Sequence, residues 1–592
     1  MSFASADGGE RRTRTIRGTL TPDGPEMVYE PFEVPPGVRE ITVSYVYDRP
    51  PVPAGTPGNS LNIGLFDPRG TAPGGDGFRG WSGGARREFS VRADDATPGY
   101  LPGPLRPGTW HVALGAYGVA PQGMSYEITV VLGFGAPGEV REPVYPPERA
   151  RGRGRAWYRG DLHMHSWHSD GRRTPAAIGA QARASGLDFI NTSEHNTISG
   201  HAHWADVAGD DLLVLLGEEI TTRNGHCLAV GVDPGTFVDW RYRARDGAFP
   251  RFAERIRRAG GLVVPAHPHA ECRGCGWRFG YGEADAVEVW NGPYTPDDET
   301  ALAAWDAMLV TAAAQGRRWL PAVSGSDAHR PPDRVGHPQT VVLADDLTRT
   351  AVLAGIRAGR CCVTESAKVE LEFGVRDATG RTAGIGERLE AGPDAPVIAR
   401  LAVTGAPRCT VRFVTDEGLA FASPPLPVSG RGVVEWRTTP ARAVYVRAEV
   451  RHETAVGPVP GGDGGVHQSG VAGAVVAEVR GVGGWGVSVD GDGDRPAFGA
   501  GGGAGGGRGG GAGRSGSAPR ARCPGRVRRR CSAGTRSGRC PASPPRRCAR
   551  RCARRRPPSY RRCRPRRVSR RCGRPARTGL GRGAASPRGW SR

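Results

Sequence analysis

Apolar residues alternate with polar ones along residues 40–47, putting Ile41, Val43, Tyr45 and Tyr47 on one face of a strand. Further short apolar runs fall at 61–66, 88–91, 110–114 and 126–132. Gly/Pro-rich turns such as 68–76 and 102–108 separate them. Short strands at this spacing predict a β-sandwich or jelly roll over residues 14–135. Trp81 and its aromatic neighbours read as sandwich core, with a sugar- or ligand-binding face as the other reading. A linker rich in Pro, Gly and Arg follows at 136–155.

From residue 156 the pattern changes. Apolar strands at 157–165, 187–191, 212–216, 226–232, 261–265, 286–290, 319–323 and 340–343 alternate with amphipathic stretches. Thr174 and Pro175 supply an N-cap and first-turn proline for a helix that Gly186 stops. Other helices are predicted near 251–259, 296–314 and 347–358. Buried strands alternating with helices predict a parallel β/α domain, a barrel, over 156–365. Nearly every His or carboxylate cluster follows a strand directly, at the C-terminal mouth where barrel enzymes build their sites. Residues 366–451 return to strand texture and predict a small second sandwich. Beyond, 452–592 are Gly, Ala, Arg, Pro, Ser and Cys with few large aliphatic residues, too little apolar surface to offset chain entropy, so disorder is expected.

Charge sharpens that boundary. The 592-residue chain has a formal net charge of +22, but the 31 arginines and 6 acidic residues after His452 account for all of it. Before that point 50 basic residues meet 53 acidic ones, so the body is nearly neutral. Lys368 is the only lysine, a bias that fits a GC-rich coding sequence. Two readings of the tail compete: an arginine-rich nucleic-acid-binding segment, or the product of a frameshift after Arg451. Aromatic interleaving is sparse and seven of the 13 cysteines lie in the tail, which favours the frameshift. A nucleic-acid partner is therefore expected only if the tail is genuine. In the body, Cys272 and Cys275 form one CxxC without a second pair or flanking histidines, read as loop chemistry with no assigned role. The scattered cysteines fit a reducing compartment. The N-terminus lacks the apolar core of a signal peptide and no stretch is apolar enough to span a membrane. A cytoplasmic body without membrane contact is expected.

The chemistry concentrates in GDLHMHSWHSDG at 160–171. On a strand end, His163 and His165 point the same way, a half-site for a transition metal. Eleven of the 14 histidines lie between His163 and His337. With the strand pattern they define clusters at His163/His165, Asp170, His195, Glu218/Glu219, His226, His267/His269 and Asp327/His329. Mixed imidazole and carboxylate donors suit Zn, Mn or Fe rather than Ca or Mg alone. The donors exceed the four that one tetrahedral ion takes, so two or three divalent ions are implied. Glu218 points to the opposite strand face from Glu219 and is the weaker candidate. His168 is assigned to the rim, His269 to substrate or to a supporting role, and Asp161 to orienting a ligand imidazole. Arg330 and Arg334 are candidate anion clamps; His337 and Asn291 are candidate pocket residues.

DLHMHS-x-x-SDG, SEHN, GEEIT, GH, AHP and SDAH, in this order, resemble the motifs of the PHP (polymerase and histidinol phosphatase) superfamily, nearest its branch of metal-dependent hydrolases that includes a carbaryl hydrolase. The resemblance covers about residues 156–365. It implies a distorted seven-stranded β/α barrel with a trinuclear site. The expected architecture is multidomain: N-terminal β-sandwich, central (β/α)7 PHP barrel, small C-terminal β-sandwich and disordered tail. Carried over, His163, His165, Glu219 and Asp327 hold one metal. Glu219 bridges to a second, held by His226 and His267, and Asp170, His195 and His329 hold a third. Candidate catalytic residues are Glu219, Asp327, His329 and Arg330.

A hydroxide on such ions is a nucleophile at neutral pH, and no G-x-S-x-G motif offers a serine route. The expected activity is metal-dependent hydrolysis of a small-molecule phosphoester. The alternatives are carbamate or carboxylic ester hydrolysis on the same site, and a ligand-binding protein with an inactive barrel.

Overall fold

The computed structural model describes residues 10–452 and the backbone of residues 471–481. The alternating pattern of residues 11–134 folds into two four-stranded antiparallel sheets. One places Arg11–Leu20, Met124–Phe134, Val38–Tyr47 and Glu88–Arg92 side by side. The other orders Met27–Val34, Gly108–Gly118, Ser60–Phe66 and Phe78–Gly83. This strand order is that of a jelly roll. Its core is the inward-facing set Ile41, Val43, Ile63, Leu65, Val91, Trp110, Val112, Leu114, Ile128 and Val130.

The central region departs from an all-parallel barrel. Ala156–Asp161, Phe189–Asn191 and Leu213–Leu215 are parallel neighbours, as are Val287–Asn291 and Ala322–Gly325. Between these groups, Glu218–Thr222, Gly225–Val230 and Leu262–Ala266 form an antiparallel sheet. The first two of its strands are joined through Arg223 and Asn224 alone. A two-residue turn makes a hairpin; a parallel crossover needs a dozen residues or more. Gln339–Ala344 is also antiparallel to Ala156–Asp161. Hydrogen bonding therefore does not close the strands into one seven-stranded barrel.

Helices cover the outside: Pro175–Ala184 behind N-cap Thr174, Phe249–Arg258, Pro296–Ala314 and Arg349–Arg357. The first carries the cap and first-turn proline expected of it, the Thr174 side chain accepting from the Ala177 amide.

The C-terminal strands are not a separate sandwich. A ten-stranded sheet runs from Leu213–Leu215 through Ala156–Asp161 and Cys361–Thr364 to Tyr445–Arg451 and Thr410–Thr415. A four-stranded sheet of Thr382–Gly384, Glu370–Asp377, Val397–Thr404 and Gly432–Thr438 covers its end across an apolar core including Val375, Ala399, Leu401, Phe413 and Ala448. Val471–Gly481 lies in the large sheet between Cys361–Thr364 and Tyr445–Arg451. The low-complexity tail expected from residue 452 thus begins too early. Alternating small apolar residues let VAGAVVAEVRG pair even inside a glycine-rich region. The expected disorder and frameshift of the remaining tail lie outside the described residues.

The N-terminal sandwich is welded to the central region by a mixed core. Phe66, Phe78, Trp81 and Ala113 join Ile220, Val232, Phe237, Trp240 and Phe252. Phe78 stacks on Phe237 at 3.9 Å and Trp81 tilts against Trp240 at 4.7 Å between ring centroids. Burial of such rings dominates the energetics of the contact between the two parts.

Candidate metal centre

His163 and His165 lie just past the end of Ala156–Asp161, where Met164 still bridges Ala328 in parallel. Asp161 touches no imidazole. Its carboxylate accepts the amides of His163 (3.2 Å), Ser326 (2.9 Å) and Gly336 (2.7 Å), tying the first motif to the last. Asp161 therefore positions backbone, and burial raises its carboxyl to about 6. His267 and Asp327 have φ of 27° and 48°. Left-handed backbone at non-glycine residues costs on the order of 1–3 kcal/mol each and gathers at functional sites.

Glu219 is the hub. Its fully buried carboxylate lies 2.7 Å from His195 Nδ1, 2.8 Å from His226 Nδ1, 3.2 Å from His267 Nε2 and 3.5 Å from Nε2 of both His163 and His165. Asp327 Oδ1 is 3.0 Å from His165 Nε2 and 3.4 Å from His163 Nε2. Asp170 Oδ1 is 3.3 Å from His329 Nε2 and 3.6 Å from His195 Nε2. Three donor groups result: His163/His165/Asp327, His163/Glu219/His267, and His165/Asp170/His195/His329. Eight of the nine residues expected to ligate metal fall in these groups, and His226 lies outside them. His163 joins the second group and His165 the third, while His226 reaches that region through Glu219.

These donors fit a cation. His163 Nε2, His165 Nε2, Glu219 Oε2 and Asp327 Oδ1 are buried and make no hydrogen bond. Their imidazole–carboxylate separations of 3.0–3.5 Å match the edges, about 3.3–3.5 Å, of a tetrahedron with metal–donor bonds of about 2.0–2.2 Å. Acceptor atoms turned on each other in a dry interior repel unless a positive charge lies among them.

The electrostatics agree. Burial alone would raise Asp327 and Glu219, yet the facing imidazoles hold both carboxyls well below their usual range. Burial, reinforced by His329 and His195, pushes His165 down to about 3. For His195 burial is outweighed by Glu219 and Asp170, and its pKa rises to about 10.

Three groups escaped sequence reasoning. Glu288 meets His163 Nδ1 at 3.1 Å and accepts the His267 amide at 2.7 Å. It leaves His163 Nε2 facing the centre, the usual role of a carboxylate behind a ligand imidazole. Its signal was one charged residue inside the apolar strand Val287–Asn291. The Thr221 hydroxyl lies 2.7 Å from His195 Nδ1. Buried Glu194 accepts the hydroxyls of Ser166 and Ser169.

Other expected residues stand apart. Glu218 points away, accepting the Val238 amide at 2.8 Å, and burial raises its carboxyl well above the usual range. His168 bonds Ser199 at 3.0 Å. Arg330 is exposed, its amide donating to Asp333. Asn291 Nδ2 is 3.4 Å from His163 Nδ1. Cys272 and Cys275, read from the sequence as loop chemistry with no assigned role, form a disulfide; a two-residue spacer brings their Cα atoms to 5.4 Å.

A cleft of about 650 Å³ opens beside the centre. Asp170, His195 and His226 form one wall, Trp81, Tyr117 and Asn62 of the sandwich another, and Arg223, Arg241 and Arg243 contribute cations. Trp81 thus belongs both to the mixed core and to the cleft.

Gly171 closes the first motif. A Cβ there would lie 2.2 Å from the carbonyl oxygen of His165. Gly171→Ala is expected to lower stability by about 1–3 kcal/mol and to weaken metal binding. Thermal melting with and without metal checks this, and an unchanged melting point and metal content would contradict it.

No protein-family model and no curated protein matches the chain. Among solved structures it is similar to a two-domain Bacteroides vulgatus protein described as containing a PHP-like metal-dependent phosphoesterase. Identity is 15%, over 53% of this chain and 95% of that one, with a TM-score of 0.31. A Bifidobacterium adolescentis protein described as a metal-dependent phosphoesterase matches at 21% identity over 33% of this chain and 92% of that one, TM-score 0.22. A Chromobacterium violaceum amidohydrolase with bound sulfate and no metal matches at 20% identity over 30% and 90%, TM-score 0.21.

Proposed function

We propose that the chain is a metal-dependent hydrolase acting on a phosphoester of a small molecule. The observation that carries this is the set of four buried atoms, His163 Nε2, His165 Nε2, Glu219 Oε2 and Asp327 Oδ1, without hydrogen bonds and with each imidazole 3.0–3.5 Å from both carboxylates. Zn, Mn or Fe ions held there would supply a water of lowered pKa and would polarise the scissile oxygen.

The protein's own part is placement. His163, His165 and Asp327 hold one position, Glu219 spans to His226 and His267, and Asp170, His195 and His329 form the third. Glu288 fixes the His163 ring and Thr221 meets His195. The mixed core beneath the cleft keeps bulk water from the buried side. Adjacent donor groups suit a displacement in which both attacking and leaving oxygens need stabilising. Arg223, on the cleft wall and in the turn between the strands that carry Glu219 and His226, offers a fork for a phosphoryl group. Hydrolysis of an aryl ester or carbamate is the second reading, favoured by Trp81, Tyr117, Trp240 and Tyr242 around the same cleft.

Elemental analysis, then assays of phosphomonoesters, phosphodiesters and aryl carbamates with Mn or Zn, tests the proposal. Chelation is expected to abolish phosphoester turnover and added Mn or Zn to restore it. Faster carbamate turnover would select the second reading. Absence of both bound metal and turnover would make the chain a binding protein.

A further inference from the structure

The sandwich reaches the metal centre by polar contacts as well as through the mixed core. Asp170 sits at the end of a turn, residues 166–170, held from below by buried Glu194. That carboxylate accepts from Ser166 and Ser169 and has nothing to offer a carbonyl. The carbonyls of Trp167 and Ser169 instead receive Arg86, from the sandwich loop between Phe78–Gly83 and Glu88–Arg92. Its Nη1 donates to Ser169 at 3.1 Å and its Nη2 to Trp167. A planar guanidinium spanning two carbonyls fixes their spacing as a flexible ammonium does not.

A second sandwich contact supports the same turn. The Gly99 amide donates to Ser199 Oγ at 2.9 Å, and that hydroxyl meets His168 Nδ1 at 3.0 Å. The turn is therefore gripped at residues 167, 168 and 169 from the sandwich side. Asp170 follows directly, its side chain 49% exposed and within 3.6 Å of His195 and His329.

We infer that Arg86 is a positioning residue: it sets the turn that presents Asp170, so the Asp170/His195/His329 position depends on the N-terminal sandwich. The inference rests on the metal-hydrolase reading for its consequence, though not for the contact itself.

Full-length Arg86→Ala and Arg86→Lys proteins test it by hydrogen exchange, metal stoichiometry and kinetics. For Arg86→Ala, exchange at residues 166–172 is expected to rise about tenfold while the rest of the chain keeps its protection. Metal content should fall by about one equivalent per chain. The kcat should drop roughly ten- to a hundredfold with KM nearly unchanged. Arg86→Lys should lie between, and serves alone if the alanine variant does not fold. Unchanged exchange and metal content would overturn the inference, as would loss of protection across the whole chain. If the wild-type protein binds no metal, the hydrolase reading fails, and exchange at 166–172 still decides whether Arg86 sets the turn.

Discussion

Glu219→Ala is expected to lower kcat on the order of 10²–10³-fold, the scale seen when a preorganised charge is removed from an active site. Five imidazoles, of His163, His165, His195, His226 and His267, lie within 3.5 Å of this carboxylate. One of the three donor groups loses a member when it goes, and the other two lose the carboxylate that their imidazoles face. Removing a partner that only supports a metal ligand costs about 10–100-fold in affinity; a bridging ligand should cost more. Metal content after dialysis should therefore fall together with activity. Glu219→Gln keeps the shape but not the charge and should fall between. The metal-free fold should also weaken, since His226 and His267 lose a buried acceptor worth about 1–3 kcal/mol. A Glu219→Ala protein that retains its metal and its turnover would remove Glu219 from the centre of the site.

Glu219 was legible because of where it stands. Histidines and carboxylates directly after apolar strands announce themselves in a one-dimensional pattern, and the segments of His163, His195, Glu219, His226, His267 and Asp327 converge. The partners of those residues are harder to read. Glu288 is one acid in an apolar strand, and only the fold shows that His163 and His267 lie across from it. Arg86 is one arginine of many, 84 residues from Asp170.

Strand direction was hidden for a related reason. Apolar content marks Glu218–Thr222 and Gly225–Val230 as strands, but only the two residues between them betray a hairpin. Arg11–Leu20, with the sequence RRTRTIRGTL, shows little apolar face because it is an edge strand exposed along most of its length. Val471–Gly481 was submerged in surrounding glycine composition, and pairing with Tyr445–Arg451 identifies it.

Acid should weaken the fold through a histidine that binds no metal. His201 is 2% exposed; its Nε2–H donates to the Gly217 carbonyl at 2.9 Å and its Nδ1 accepts from the Gly235 amide at 3.3 Å. Both nitrogens are used by the neutral ring. Burial, opposed only by the Gly217 contact, pushes its pKa down to about 4, against about 6.5 in an unfolded chain. Above pH 6.5 the ring is neutral in both states and its contribution is complete. As pH falls from 6.5 towards 4, the unfolded chain takes up a proton that the folded one refuses, and stability drops by about 1.4 kcal/mol per pH unit. His201→Gln retains a donor for Gly217 without the titration, and the carboxylates that also respond to acid are common to both proteins. Urea midpoints at pH 7 and pH 4.5 should therefore show the wild-type protein losing about 2–3 kcal/mol more than His201→Gln. A gap between the two proteins that stays constant over this range would mean that His201 takes up its proton in the fold as readily as in water. Protonation of His201 places a proton on Nδ1, so it breaks the bond from the Gly235 amide and leaves the one to Gly217, which leads directly into Glu218–Thr222.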